Sequence, residues 1–232
     1  MGNRAKLTAI YPMIEQMGAL VGTRRVLVQF CGHMAYYPTT QTTPLVQQWP
    51  VSDATDLIAG YFEQGWPKQL TLAGGEPLHY ADWIQRLLKQ LPKCEVQLWT
   101  GGTPVKELAA LLPQINYFSL HWKLGDMDVM APAVQLDRRR SLQLINLRQG
   151  ELILHLPTAL LADTNMLEQK LIAVQSLLRS AEVDSLPVWL AMPAFPSAGG
   201  FDEAAFVLCF SIFPNARLTW QAAVESKCEG DF

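Results

Sequence analysis

Leu70-Thr71-Leu72-Ala73-Gly74-Gly75-Glu76-Pro77 sets an apolar run against two glycines, a carboxylate and a proline. Such a run reads as a strand end where backbone must come close to a small charged ligand. Working outward, residues 24–31 form a β-rich run that ends at Gly32, and residues 94–100 form another that ends at Gly101-Gly102. Further strands are predicted at 115–121, 152–156, 188–192 and around 216–220. Between them lie helical patterns. One is capped by Ser52 or Asp53 and runs to Phe62; Asp82 caps another that carries Ile84, Leu87, Leu88 and Leu91. Pro104 opens a third, to about Leu112, and two more fall at 164–181 and 201–213. Residues 38–50 read as a Thr-, Pro- and Gln-rich loop, and 125–150 as irregular.

Strand and helix alternate with short connections, which predicts an α/β fold with a mostly parallel sheet and right-handed crossovers. No composition shift or internal repeat divides the chain, so residues 1–232 read as one domain. In such folds ligands bind at the carboxyl ends of the strands. Gly32-His33, Gly74-Gly75-Glu76, Thr100-Gly101-Gly102, His121 to Lys123 and Pro193 all fall at those ends and are expected to converge on one mouth.

Composition narrows the classes. Half of the 232 residues are apolar and 17% are charged, enough for a large core. The net charge of −3 argues against a broad nucleic-acid surface, and Arg138-Arg139-Arg140 reads as a solvated turn. No apolar run approaches the roughly 18–20 residues needed to cross a bilayer, so a soluble cytoplasmic protein is expected. The four cysteines, Cys31, Cys94, Cys209 and Cys228, are far apart and supply neither a metal motif nor a disulfide framework. His33, His79, His121 and His155 lack zinc-ligand spacing and read as structural, with His155 in a buried strand.

Taken in order, these pieces resemble the 7-carboxy-7-deazaguanine synthase family of radical S-adenosylmethionine (SAM) enzymes. Tyr11 to Gly18 is similar to the family F-x-S-I-Q-G-E-G, followed by Gly22-Thr23 and the strand from Val26 to Gly32. Gly74-Gly75-Glu76-Pro77-Leu78 matches G-G-E-P-L. Trp99-Thr100-Gly101-Gly102-Thr103 resembles E-T-N-G-T, and His121-Trp122-Lys123 lies where the family has S-P-K. Met192-Pro193 resembles its Q-P, and Arg217-Leu218-Thr219-Trp220-Gln221 its R-L-S-L-Q. The resemblance implies a partial (β/α) barrel of the radical SAM type. It also places a SAM-type site on Gly74, Gly75, Glu76 and Thr100, and substrate contacts on Lys123 and Gln221.

The same alignment puts the three cluster-ligand cysteines of the family on His33, Tyr37 and Thr40. Iron–sulfur clusters require thiolates. No cluster and no radical chemistry are therefore expected, and SAM binding only weakly. Gln29 stands for a family Arg, Gln41 replaces the Asp beside the Mg²⁺-binding threonine at Thr42, and the late H-K pair is absent, so no metal site is expected. Gly74, Gly75 and Glu76 keep two readings: an ammonium cradle, or a tightly packed strand end with a local cap. Trp99, Trp122 and Trp220 replace polar family positions and are expected to fill the old pocket. The implied function is a cluster-free pseudoenzyme, leaning away from catalysis, that acts as a binding or regulatory partner in a homodimer or a heterodimer. The rival readings are an enzyme with a remodelled pocket for a nucleotide or pterin-like molecule, using Glu76, Lys123 or His33 as acid or base, and a residual radical SAM enzyme of deazapurine biosynthesis.

Overall fold

A computed structural model describes residues 3–32, 46–127, 132–193 and 203–220. Among the described residues nine strands form one sheet in the order β3-β1-β2-β4-β5-β6-β7-β8-β9. They are β1 (Arg4–Ile14), β2 (Arg24–Phe30), β3 (Gln47–Pro50), β4 (Gln69–Gly74), β5 (Glu95–Thr100), β6 (Tyr117–Lys123), β7 (Gln149–His155), β8 (Val188–Met192) and β9 (Arg217–Trp220). From β2 to β9 every pairing is parallel, as the βα rhythm requires. The helices are α1 (Val51–Glu63), α2 (Ala81–Gln90), α3 (Val105–Leu111), α4 (Pro132–Asn146), α5 (Thr158–Leu161), α6 (Thr164–Ser180) and α7 (Glu203–Ile212).

Three departures from the sequence reading have physical causes. The edge at the β1 side is antiparallel: β1 pairs with β2, and with β3 over Arg4 to Leu7. Residues 47–50 are thus a strand rather than loop, held by pairing and not by their own propensity. Pro12 masks β1 in the sequence, but it lies beyond the part that β3 covers, where a missing N–H is tolerated. Within 125–150, α4 replaces an irregular segment; it buries Ser141, Leu142 and Ile145, a stripe too narrow to stand out beside Arg138-Arg139-Arg140. The caps also differ. α1 begins at Val51 after Pro50, and α2 begins at Ala81 after Tyr80, neither with a side-chain cap. Ser52 instead donates to Asp53 (2.8 Å), and Asp82 lies inside the first turn, where the helix dipole favours it. The side-chain cap on α6 is Asp163, which accepts from the Met166 N–H at 3.0 Å.

The two faces of the sheet differ in chemistry because side chains alternate along each strand. One face carries Val26, Val28, Leu70, Leu72, Val96, Leu98, Phe118, Leu120, Leu152, Leu154 and Leu190, packed against Ile58, Ile84, Leu87, Leu108, Leu142, Leu171 and Val174 of the helices. This is the main core. The inner face is a different kind of interior. A small apolar layer of Met17, Leu27, Ala73, Trp99, Ile153 and Ala191 lies there. Beside it lies a polar layer of Arg25, Thr71, Gln97, Ser119 and Glu151, each fully buried.

Arg25 fixes one end of that layer. Its Nε donates to Thr71 Oγ1 (2.9 Å), and Nη2 to the Leu70 carbonyl (3.0 Å). Nη1 pairs with Glu95 Oε1 at 3.1 Å, although the Glu95 side chain is 43% exposed. Solvent screens that pair, so the buried hydrogen bonds dominate. Replacing Arg25 by Ala takes its donors from Thr71 and Leu70 and empties a fully buried site, and a loss of about 3 kcal/mol is expected in denaturant unfolding. Glu95→Gln is expected to cost less than about 1 kcal/mol in the same assay.

Candidate functional site

At the strand ends, β2 and β4 close on each other through glycine. Gly74 has φ of +109°, and a Cβ there would sit 2.3 Å from the Phe30 carbonyl oxygen. A Cβ on Gly75 would lie 2.4 Å from the Cys31 carbonyl oxygen, and the Gly75 N–H donates to the Phe30 carbonyl at 2.9 Å. Both glycines are therefore required by backbone packing, whatever else the mouth holds.

Glu76 is likewise engaged within the chain. Its Oε1 accepts from the Leu78 N–H (3.0 Å), capping the short turn Pro77–Tyr80, and from Thr100 Oγ1 (2.6 Å). Its Oε2 accepts from the Gly101 N–H at 2.9 Å. Thr100 is fully buried, and its Oγ1 also accepts from the Gly102 N–H (2.9 Å). Gly102 in turn packs on Ser141 of α4, whose hydroxyl donates to the Gly102 carbonyl. Burial raises the Glu76 pKa to about 7 even against these donors. Glu76 and Thr100 thus form one cluster that ties the end of β4 to the end of β5.

The other expected site residues divide between the mouth and the undescribed stretches. Lys123 ends β6, half-buried and in register with His155 of β7. His33, Tyr37, Thr40, Gln41, Thr42 and Gln221 lie outside the described residues. Gln29 is half-buried on β2. Of the three tryptophans expected to fill the pocket, Trp99 does lie on the inner face. Trp122 does not: one residue past His121 on β6, it points to the helices, with Nε1 donating to the Gly101 carbonyl (3.0 Å). Trp220 is on the edge strand β9 and is 36% exposed.

Two features of the inner face have no motif in the sequence. The first joins His121 and His155, 34 residues apart but on adjacent strands, with His121 Nδ1 2.9 Å from His155 Nε2. Trp99 stacks on His121 at 4.4 Å, and His121 on His155 at 5.2 Å, so three rings line up across β5, β6 and β7. Burial holds both imidazoles neutral, with His121 pushed down to about 3. His79, by contrast, is exposed on the turn after Glu76. Among the described residues no group of three or more His, Cys, Asp or Glu could hold a metal ion.

The second feature is the connection from β1 to β2, which lies against the inner face. Met17 enters the apolar layer there. Glu15, 1% exposed, accepts from the N–H groups of Gln16 (2.9 Å) and Met17 (3.4 Å). Glu151 Oε2 accepts from the Ala19 N–H at 2.8 Å and from Tyr117 Oη at 3.1 Å. A side chain on Gly18 would collide with Glu151. Between the two carboxyls stands Gln97. Trp99 Nε1 at 2.8 Å requires the amide oxygen on its side, which leaves the amide nitrogen donating to Glu15 Oε2 (3.0 Å) and Thr71 Oγ1 (3.2 Å). Ser119 Oγ then faces two acceptors, Gln97 (3.1 Å) and Glu151 Oε1 (2.7 Å), with one proton to give. A protonated Glu151 donating to Ser119 completes the chain, and burial shifts the Glu151 pKa upward in that sense. Burial, opposed by the Gln16 and Met17 N–H donors and by Arg25, takes Glu15 to about 7.

Gly75→Ala is expected to destabilise by at least about 2 kcal/mol, because a rigid carbonyl meets the new methyl. Gly101→Ala, whose Cβ would stand 3.4 Å from Glu76 Oε2, is expected to be nearly neutral in the same thermal or denaturant assay. The raised carboxyl values also fix a sign. A carboxyl that ionises more easily unfolded than folded stabilises below its unfolded pKa, and that stability is lost as pH rises through the folded value. Stability is therefore expected to fall between about 4.5 and about 7, and Glu15→Gln to remove part of that slope in unfolding curves recorded across the range.

No protein-family model matches the chain. Against curated proteins, it is 25% identical over 161 residues to the 7-carboxy-7-deazaguanine synthase of Methanothermobacter thermautotrophicus. That match takes in 62% of this chain and spans 64% of the length of the relative. Among solved structures, the crystal structure of QueE from Escherichia coli aligns with a TM-score of 0.55, covering 94% of each chain at 15% identity, a likeness of fold. No helix among the described residues is long and apolar enough to cross a membrane. In sequence the chain is thus similar to a 7-carboxy-7-deazaguanine synthase, and its fold is the partial barrel of the radical SAM type.

Proposed function

We propose that the chain is a cluster-free relative of the deazaguanine synthase that acts as a binding or regulatory partner, without radical SAM chemistry. The observation that carries this reading is the donor set. The resemblance puts His33, Tyr37 and Thr40 where three thiolates are needed, and Cys31, Cys94, Cys209 and Cys228 nowhere form a C-x-x-x-C-x-x-C triplet. Imidazole, phenol and hydroxyl are not the soft anionic donors that hold an iron–sulfur cluster, so the residues present do not fit that group. In this family the cluster supplies part of the SAM anchor, which leaves Gly74, Gly75, Glu76 and Thr100 with a weak site at most. The Glu76 carboxylate is already held by Leu78, Thr100 and Gly101, which supports the same reading.

Lys123 and Gln221 remain as the residues for an anionic group of a partner or ligand, and a homodimer or a heterodimer is the assembly that suits a binding role. Anaerobic reconstitution with iron and sulfide is expected to give no cluster absorbance and no 5′-deoxyadenosine from SAM; a stoichiometric cluster or that product refutes the reading. Thermal-shift measurements on the isolated chain with SAM, pterins and deazapurines add a second arm. Silence there, together with a protein that co-purifies stoichiometrically, supports the partner role. A saturable shift with a pterin or a deazapurine favours an enzyme with a remodelled pocket.

A further inference from the structure

A cleft of about 420 Å³ opens at the end of the sheet opposite the mouth, where β8 and β9 begin. Its walls are the last turns of α6, the stretch from Asp184 into β8 and the turn from Phe213 into β9. The volume lies within the range of about 300–1,000 Å³ typical of small-molecule sites. Trp189 lines it, and the Arg217 guanidinium lies 5.5 Å from the centroid of the Trp189 ring. That separation is within cation–π reach. Arg179, in the last turn of α6, is a second cation of the lining, and Asp184 is its acidic member.

Charge sets the ligand class. Among the described residues neither Arg179 nor Arg217 pairs with a carboxylate within 4.0 Å. Two guanidiniums against one acid make this cleft locally positive, on a chain whose net charge is −3. Guanidinium matches the planar geometry of carboxylate and phosphate oxygens, and an indole supplies a flat apolar surface for a ring. Asn215 and Ser185 add polar groups to the rim.

We propose that this cleft binds a small planar anion, its ring against Trp189 and its carboxylate or phosphate on Arg217 and Arg179. The site does not depend on the function proposed for the mouth, which lies at the other ends of the same strands. Ligand here also touches the inner face, because Ala19, whose N–H is held by Glu151, is part of the same lining.

The test uses the full chain, isotope-labelled at nitrogen, with the Trp189 indole signal identified by its disappearance in Trp189→Phe. Guanosine monophosphate and nicotinate are the probes, with guanosine and inorganic phosphate as their parts. A saturable displacement of the Trp189 signal is expected with at least one probe, at lower concentration than with guanosine or phosphate alone. Arg217→Gln is expected to weaken that binding by roughly tenfold, and Arg179→Gln by a smaller factor. Binding of guanosine monophosphate but not nicotinate assigns the anion as phosphate; the reverse assigns carboxylate. A Trp189 signal that stays in place with both probes overturns the proposal, as does unchanged affinity in both arginine variants. Both arginines are exposed, and each variant's unfolding midpoint confirms that it is folded.

Discussion

A line of hydrogen bonds crosses the inner face from Arg25 through Thr71, Gln97 and Ser119 to Glu151, one residue from each of β2, β4, β5, β6 and β7. Parallel strands are joined by backbone bonds that any sequence makes, so those bonds do not fix what lies on the concave side. The side-chain line does. Each member occupies the one orientation its neighbours allow, since a buried polar group left without a partner costs on the order of 1–3 kcal/mol. Glu15 and Glu151 extend the line to the backbone of the β1–β2 connection, so the same bonds that order the strands also hold that connection in place. The apolar layer of Met17, Leu27, Ala73, Trp99, Ile153 and Ala191 lies beside this line, and Met17, whose N–H donates to Glu15, belongs to both.

The motif that looks most like a cofactor site is also the one the fold most needs. Gly74 and Gly75 are required by the carbonyls of Phe30 and Cys31, and Glu76 by the N–H groups and hydroxyl around it. A chain can therefore keep this motif for architecture after selection for a cofactor has ceased. Arg217, first residue of the closing R-L-x-x-Q resemblance, is placed beneath the sheet over Trp189 rather than at the mouth. Parts of a family signature thus mark packing, as Gly74 and Gly75 do against the Phe30 and Cys31 carbonyls.

What could be read from sequence follows from how local the cause is. The run of strand and helix from residue 69 to 123 was legible because glycine pairs, a proline and 3.6-residue periodicity mark each boundary. β1 was not, because Pro12 interrupts its strand pattern, and β3 was not, because its four residues are held by pairing with Arg4 to Leu7 rather than by their own propensity. α4 was hidden by Arg138-Arg139-Arg140, read as a solvated turn, although Arg138 packs over the Trp122 ring at 4.8 Å. The glycines and Glu76 were recognised as a strand end with two possible meanings, and geometry supplied the packing one. His121 against His155, and Glu15 with Gln97 and Glu151, had no signal at all: they join residues whose nearness comes from strand order. The parity of β6 was the single clue that Trp122 must face away from His121.

The bond from Ala19 to Glu151 closes a loop of 132 residues. During synthesis the first strand pair emerges long before its acceptor exists, so the β1–β2 connection cannot settle until β7 has been made and added to the sheet. Contacts of such sequence separation slow folding, because loop closure comes before any reward. The β1–β2 hairpin therefore leaves the ribosome well ahead of its acceptor and is among the last parts to become fixed, and the inner face of the nascent sheet stays open until β7 has joined it.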